Sequence, residues 1–191
     1  MKVRNSTKFF VALALASTGV SAAALHANHH KMGNPMVGGA EMFPAKTIAE
    51  NASAAPNLTT LVAAVSAAGL VDTLASPGPF TVFAPTNTAF EKLPEGTVGT
   101  LVKPENKATL TKILTYHVIA GKLTSKDIVS AIKAGGGSAS LTTVAGEKLS
   151  ARLSGKSVVI TDGKGGQSAV TTVDVMQSNG VVHVIDSVLL P

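Results

Sequence analysis

The 191-residue chain has no cysteine and no tryptophan, and a single tyrosine. Without cysteine neither a disulfide framework nor a lipid-modified N-terminal Cys can form. No segment reaches the roughly 18 consecutive apolar residues that a membrane-spanning helix needs. A carbohydrate- or base-stacking surface gets little support, because only 4% of residues are aromatic. Catalytic signatures are missing as well. There is no G-x-S-x-G elbow, no H-E-x-x-H and no phosphate loop; Gly163-Lys-Gly-Gly166 lacks the spacing and the following Ser or Thr. The expectation is a non-enzymatic protein held together by its core alone.

Positive charge is no evidence for nucleic acid. Three units of the formal +5 belong to Lys2, Arg4 and Lys8. These precede an apolar run, Phe9–Ala16, and a small-residue stretch, Ser17–Ala24, the layout of a secretory signal. The remaining Lys and Arg are scattered, without interleaved aromatics. Residues 1–24 are therefore expected to be a signal peptide, with cleavage after Ala22, Ala23, Ala24 or Ala27. The mature protein is placed in the periplasm or outside the cell, with no transmembrane anchor. A Gly/Pro-rich lead is expected over 25–40, and one domain over 41–191, large enough for a sizeable core.

The lead carries His26, His29, His30, Met32 and Met36. Cleavage after Ala23 or after Ala27 puts a His third from a free amine. Amine, two backbone amides and imidazole then suit Cu(II) or Ni(II) in a square plane, and the thioethers suit Cu(I). Copper binding at these residues is one expectation; a solvated tail is the other.

Within the domain the spacing predicts helices first. One covers Thr47–Ala54. A second is capped by Asn57, carries Leu58, Leu61, Val62 and Val65 on one stripe, and is stopped by Gly69. Phe80-Thr-Val-Phe-Ala84 alternates as a strand with apolar cover on both faces, ended by Pro85. Thr86 or Asn87 caps the short helix after it. A longer helix runs from Glu105 to Tyr116, and His117 continues its apolar stripe. Thr124-Ser-Lys-Asp127 has the form of a capping box. From Ser138 on, five β-rich runs separated by Gly-containing turns follow: Leu141–Val144, Lys148–Leu153, Val158–Thr161, Ala169–Val175 and Val181–Ile185. Helices followed by a meander indicate an α+β fold with one core.

Three stretches together, Phe80–Phe90, Tyr116-His117 and Asn179-Gly-Val-Val-His-Val-Ile-Asp186, closely resemble the fasciclin-like domain, in particular its small secreted single-domain bacterial members. The resemblance implies an antiparallel β-wedge of about seven strands with helices packed around it, and Val181–Ile185 lying beside Phe80–Ala84. It also implies an adhesion or surface-interaction role toward a cell-surface or matrix protein or glycan, exercised by a monomer. By the same resemblance Tyr116 and His117 are partner-binding residues, and a second motif falls on Asp174, Val175 and Met176, with Val175 where the family has Ile. For Tyr116 and His117 the residues themselves also allow a plain packing role, and for Asp174 a brace.

Overall fold

The computed structural model describes residues 34–191. After a two-strand hairpin, β1 (Met36–Val37) and β2 (Ala40–Glu41), come helices α1 (Ile48–Ala54), α2 (Thr59–Ala68) and α3 (Val71–Ala75). Strand β3 (Phe80–Pro85) leads into α4 (Asn87–Glu91), α5 (Thr97–Leu101), a 3-10 turn at Pro104–Asn106 and α6 (Lys107–Tyr116). Then follow β4 (Val118–Ala120), α7 (Ser125–Ala134), β5 (Ser138–Thr142), β6 (Lys148–Ser154), β7 (Ser157–Thr161), β8 (Gln167–Gln177) and β9 (Gly180–Ile185). Seven strands form one sheet in the order β4-β3-β9-β8-β7-β6-β5. Its two ends are tied together by the Val144 N–H donating to the Val118 carbonyl at 2.7 Å. The result is the expected wedge, nearly a barrel, with helices around it.

Every neighbouring pair in that sheet is antiparallel except β3 and β9, which run parallel from Phe80↔Gly180 to Pro85↔Ile185. This one parallel pair lies within the otherwise antiparallel wedge. The two strands are joined by a long crossover through the whole second half of the fold, so no hairpin dictates their direction. At the start of the pair the backbones press together. A Cβ on Gly180 would meet the Phe80 carbonyl and leave no room for any other residue.

Alternation along β3 sorts the core into two parts. Val82 and Ala84 face α1, α2, α4 and α6, where Leu58, Leu61, Val65, Phe90, Leu110 and Leu114 pack. Phe83 points the other way, toward Ile128 and Ile132 of α7 and the inner residues of the meander. β9 repeats the pattern with Val182 and Val184 on one face and Ile185 on the other. Burying Phe83 completely contributes about 2 kcal/mol of transfer free energy. Both faces of the central pair are therefore core.

Local signals place several helix ends. Thr47 and Thr124 each cap a helix in a full capping box, with Glu50 and Asp127 as the reciprocal partners. Gly69 ends α2 in the left-handed region at φ 73°. Three expectations need correction. Asn57 does not cap α2: its Oδ1 is buried without a hydrogen-bond partner, and the Thr60 N–H donates instead to Asn87 Oδ1 at 3.0 Å. β5 starts at Ser138 and stops before Val144, because Ala139 and Leu141 are its inward pair and Val144 stays exposed. The Gly/Pro-rich lead becomes regular before its expected end: Gly38 and Gly39, both at positive φ, form the turn of the β1–β2 hairpin, and Val37 is buried.

Candidate functional site

Of the residues singled out by the resemblance, Asp174, Val175 and Met176 lie at a kink in β8, while Tyr116 and His117 sit apart from it at the end of α6. Opposite β9 the strand slips register twice, between Val170 and Thr172 and again between Thr172 and Val175. Such bulges bend a strand and re-aim its side chains. Asp174 sits at the second slip with φ 56°. Among the described residues it is the one non-glycine in the left-handed region, a conformation that Asp tolerates better than most residues.

Asp174 is held from three sides. Its Oδ1 accepts the Ser125 N–H at 2.6 Å, its Oδ2 accepts the Ser125 hydroxyl, and its own N–H donates to His183 Nδ1 at 3.3 Å. Carboxylate oxygens at free N–H groups in the first turn stabilise a helix by hydrogen bonding and by the positive end of its dipole. The acid is thus a brace, as one sequence expectation had it, and its target is the start of α7.

His183 extends the brace inward. It lies buried on β9 with its ring 5.7 Å from that of Phe83, and Nε2 meets the Leu123 carbonyl at 2.9 Å. Because Nδ1 accepts from Asp174, the proton sits on Nε2 and the ring is neutral. Burial pushes its pKa below the ordinary histidine value, against the Leu123 carbonyl and Asp174, which favour the charged form. The Leu123 N–H donates to Thr81 Oγ1 at 2.8 Å, and that hydroxyl donates to the Gly121 carbonyl at 2.6 Å. The loop from Gly121 to Ser125 is therefore stitched to β3, β9 and β8 by three polar side chains.

Tyr116 and His117, partner-binding residues by the resemblance, lie buried inside the domain. The Tyr116 hydroxyl accepts the Gly163 N–H at 2.9 Å and donates to the Lys148 carbonyl at 3.3 Å, joining α6 to the meander. His117 Nδ1 lies 2.8 Å from the Ile113 carbonyl, and Nε2 accepts the Leu189 N–H at 3.0 Å. Desolvation lowers its pKa to about 4, so at neutral pH it is an uncharged crosspiece between helix and C-terminal segment. The stripe that ends at His117 already pointed to this packing role.

Of the second motif, Val175 is fully buried, while Asp174 and Met176 are partly exposed. Beside them stands Val173, 43% exposed and absent from the sequence expectation. Its position in an alternating run gave no hint that the bulge would turn it to solvent. Of the lead residues, His26, His29, His30 and Met32 lie outside the described residues. Met36 projects from the hairpin at 57% exposure. Among the described residues no group of three or more His, Asp or Glu is placed to hold a metal, and no helix is long and apolar enough to cross a membrane.

Comparison with known proteins places this geometry. Protein sll1483 of Synechocystis is 44% identical over 191 residues, which is all of this chain and 99% of that one. Immunogenic protein MPB70 of Mycobacterium bovis is 40% identical over 154 residues, covering 75% of this chain and 68% of that one. Among solved structures, a domain pair from the insect cell adhesion molecule fasciclin I superposes with a TM-score of 0.68 at 23% identity, over 76% of this chain and 51% of that one. The fasciclin domain family profile matches residues 56–191. The chain belongs to the fasciclin domain family.

Proposed function

We propose that the protein is a secreted, non-enzymatic adhesion or surface-interaction module, which works as a monomer through the outer face of the kinked β8. The observation that carries this is the bulge itself. It turns Val173 outward beside Asp174 and Met176, and locks the displaced backbone to α7 through Ser125. A rigid backbone with an exposed apolar residue flanked by polar ones is a reasonable contact point for another macromolecule, since little ordering entropy remains to be lost on binding. Tyr116 and His117 then act as internal struts that tie α6 to the meander and to the C-terminal segment. The partner class is a cell-surface or matrix protein or glycan. Support also comes from a structural relative described as a cell adhesion molecule, and from the signal-like N-terminus.

The test uses beads coated with the exported full-length protein and incubated with cells of the strain that makes it. Bead capture is scored by flow cytometry. Val173→Lys, which leaves the internal struts untouched, should cut capture at least about tenfold with an unchanged Tm. Capture that is unchanged in Val173→Lys would remove β8 from the interaction.

A further inference from the structure

Between the α1–α3 helices and the β3–β9 face of the sheet runs an apolar cavity of about 130 Å³. Its wall follows β3 from Phe80 to Ala84, about 13 Å of strand. It continues past Leu114 and Val118 to Val144, which follows β5 and is hydrogen-bonded to Val118. An engineered apolar cavity of about 150 Å³ accommodates benzene. A volume of that order set along Phe80–Ala84 has room for one methylene chain.

Several polar side-chain atoms in this wall are already engaged. The Ser53 hydroxyl bonds to the Ala49 carbonyl and the Thr115 hydroxyl to the Thr111 carbonyl, both at 2.8 Å. The Gln177 side-chain oxygen accepts from Asn51, and both ring nitrogens of His117 are taken by Ile113 and Leu189. A polar ligand would find few partners along the bore. The exposed residues of the lining are Ser53, Ser66, Val71, Thr73 and Val144, and Ser66, Val71 and Thr73 cluster where the cavity reaches solvent between α2 and α3. A void of this size is costly to leave in a close-packed core unless something occupies it.

We propose that this cavity binds a single unbranched hydrocarbon chain, the tail of a fatty acid or other one-chain amphiphile. Its polar head stays at the mouth beside Ser66 and Thr73. The volume suits about six to eight carbons without movement of the helices. This site is separate from the β8 face, so either can fail alone.

Octanoate is the probe, titrated into the exported full-length protein, with adamantane-1-carboxylate as a compact acid of comparable apolar content. Octanoate should bind one to one and raise Tm, and the compact acid should bind at least about tenfold more weakly. Ala52→Phe, which fills the bore from α1, should lower octanoate affinity at least about tenfold. Should that variant fail to fold, Ser66→Trp at the exposed mouth is expected to weaken octanoate by a similar factor. Absence of octanoate binding, equal binding of the two acids, or wild-type affinity in the folded variants would each overturn the assignment.

Discussion

Asp174 and Ser125, 49 residues apart in the chain, are joined twice: the carboxylate of one takes both the backbone N–H and the hydroxyl of the other. This pair of hydrogen bonds between a strand bulge and a helix start fixes the start of α7 against β8. It also holds Asp174 at φ 56°, where an ordinary side chain crowds its own backbone.

The two roles of Asp174 separate by substitution. Asp174→Ala loses the cap and keeps the backbone penalty, so it should cost about 2 kcal/mol. Asp174→Gly loses the same bonds but relieves the positive φ, and should be about 1 kcal/mol less harmful. Urea midpoints of the two variants decide. Equal midpoints would mean that the backbone conformation carries no weight.

Histidine burial predicts acid sensitivity. His117 titrates near 4 in the folded protein and near 6.5 when unfolded. Between these values the unfolded chain takes up a proton that the folded chain refuses, so stability falls as the pH drops. The contribution is fully present above about 6.5 and lost by about 4, a total of about 3 kcal/mol from this residue. His183, shifted in the same direction, adds to the loss. Urea unfolding at about pH 4.5 and about pH 7 should show the drop, and His117→Gln should flatten it while lowering stability at neutral pH.

Asn57 and Asn87 should behave oppositely to their distances from α2 in sequence. Asn87 serves the Thr60 N–H with its Oδ1, and its Nδ2 donates to the Pro56 carbonyl and Thr59 Oγ1. Asn87→Ala should cost about 1–2 kcal/mol by thermal melting. Asn57→Ala removes an oxygen that has no partner and should cost less than about 0.5 kcal/mol.

Copper binding by the lead stands as a separate proposal. If export leaves Ala24 or Asn28 as the first residue, intact-mass spectra should show one Cu(II) retained, and His26→Ala or His29→Ala with His30→Ala should release it. A mature chain that starts elsewhere and holds no copper would assign the lead to a tether.

The parts of this fold legible in sequence are those set by short-range periodicity. Alternation over Phe80–Ala84 correctly assigned Val82 and Phe83 to opposite cores, and the stripe ending in His117 anticipated its burial. Partners at long range were not legible. Nothing near His117 announces Leu189, 72 residues away. Asn57 stands at the right place for a cap, and only the tertiary fold hands that task to Asn87. The bulge in β8 was invisible because no Gly or Pro marks it; an Asp bears the positive φ. Gly38 and Gly39 misled in the other direction, since the features of a loose lead are also those of a tight turn.

The parallel pairing of β3 with β9 has a consequence for how the molecule comes into being. Residues 80–85 cannot find their central neighbour until residues 180–185 have been made, about a hundred positions later. Closing so large a loop is slow, and both halves of the core wait on it. The core is therefore expected to set only when β9 arrives, near the end of synthesis.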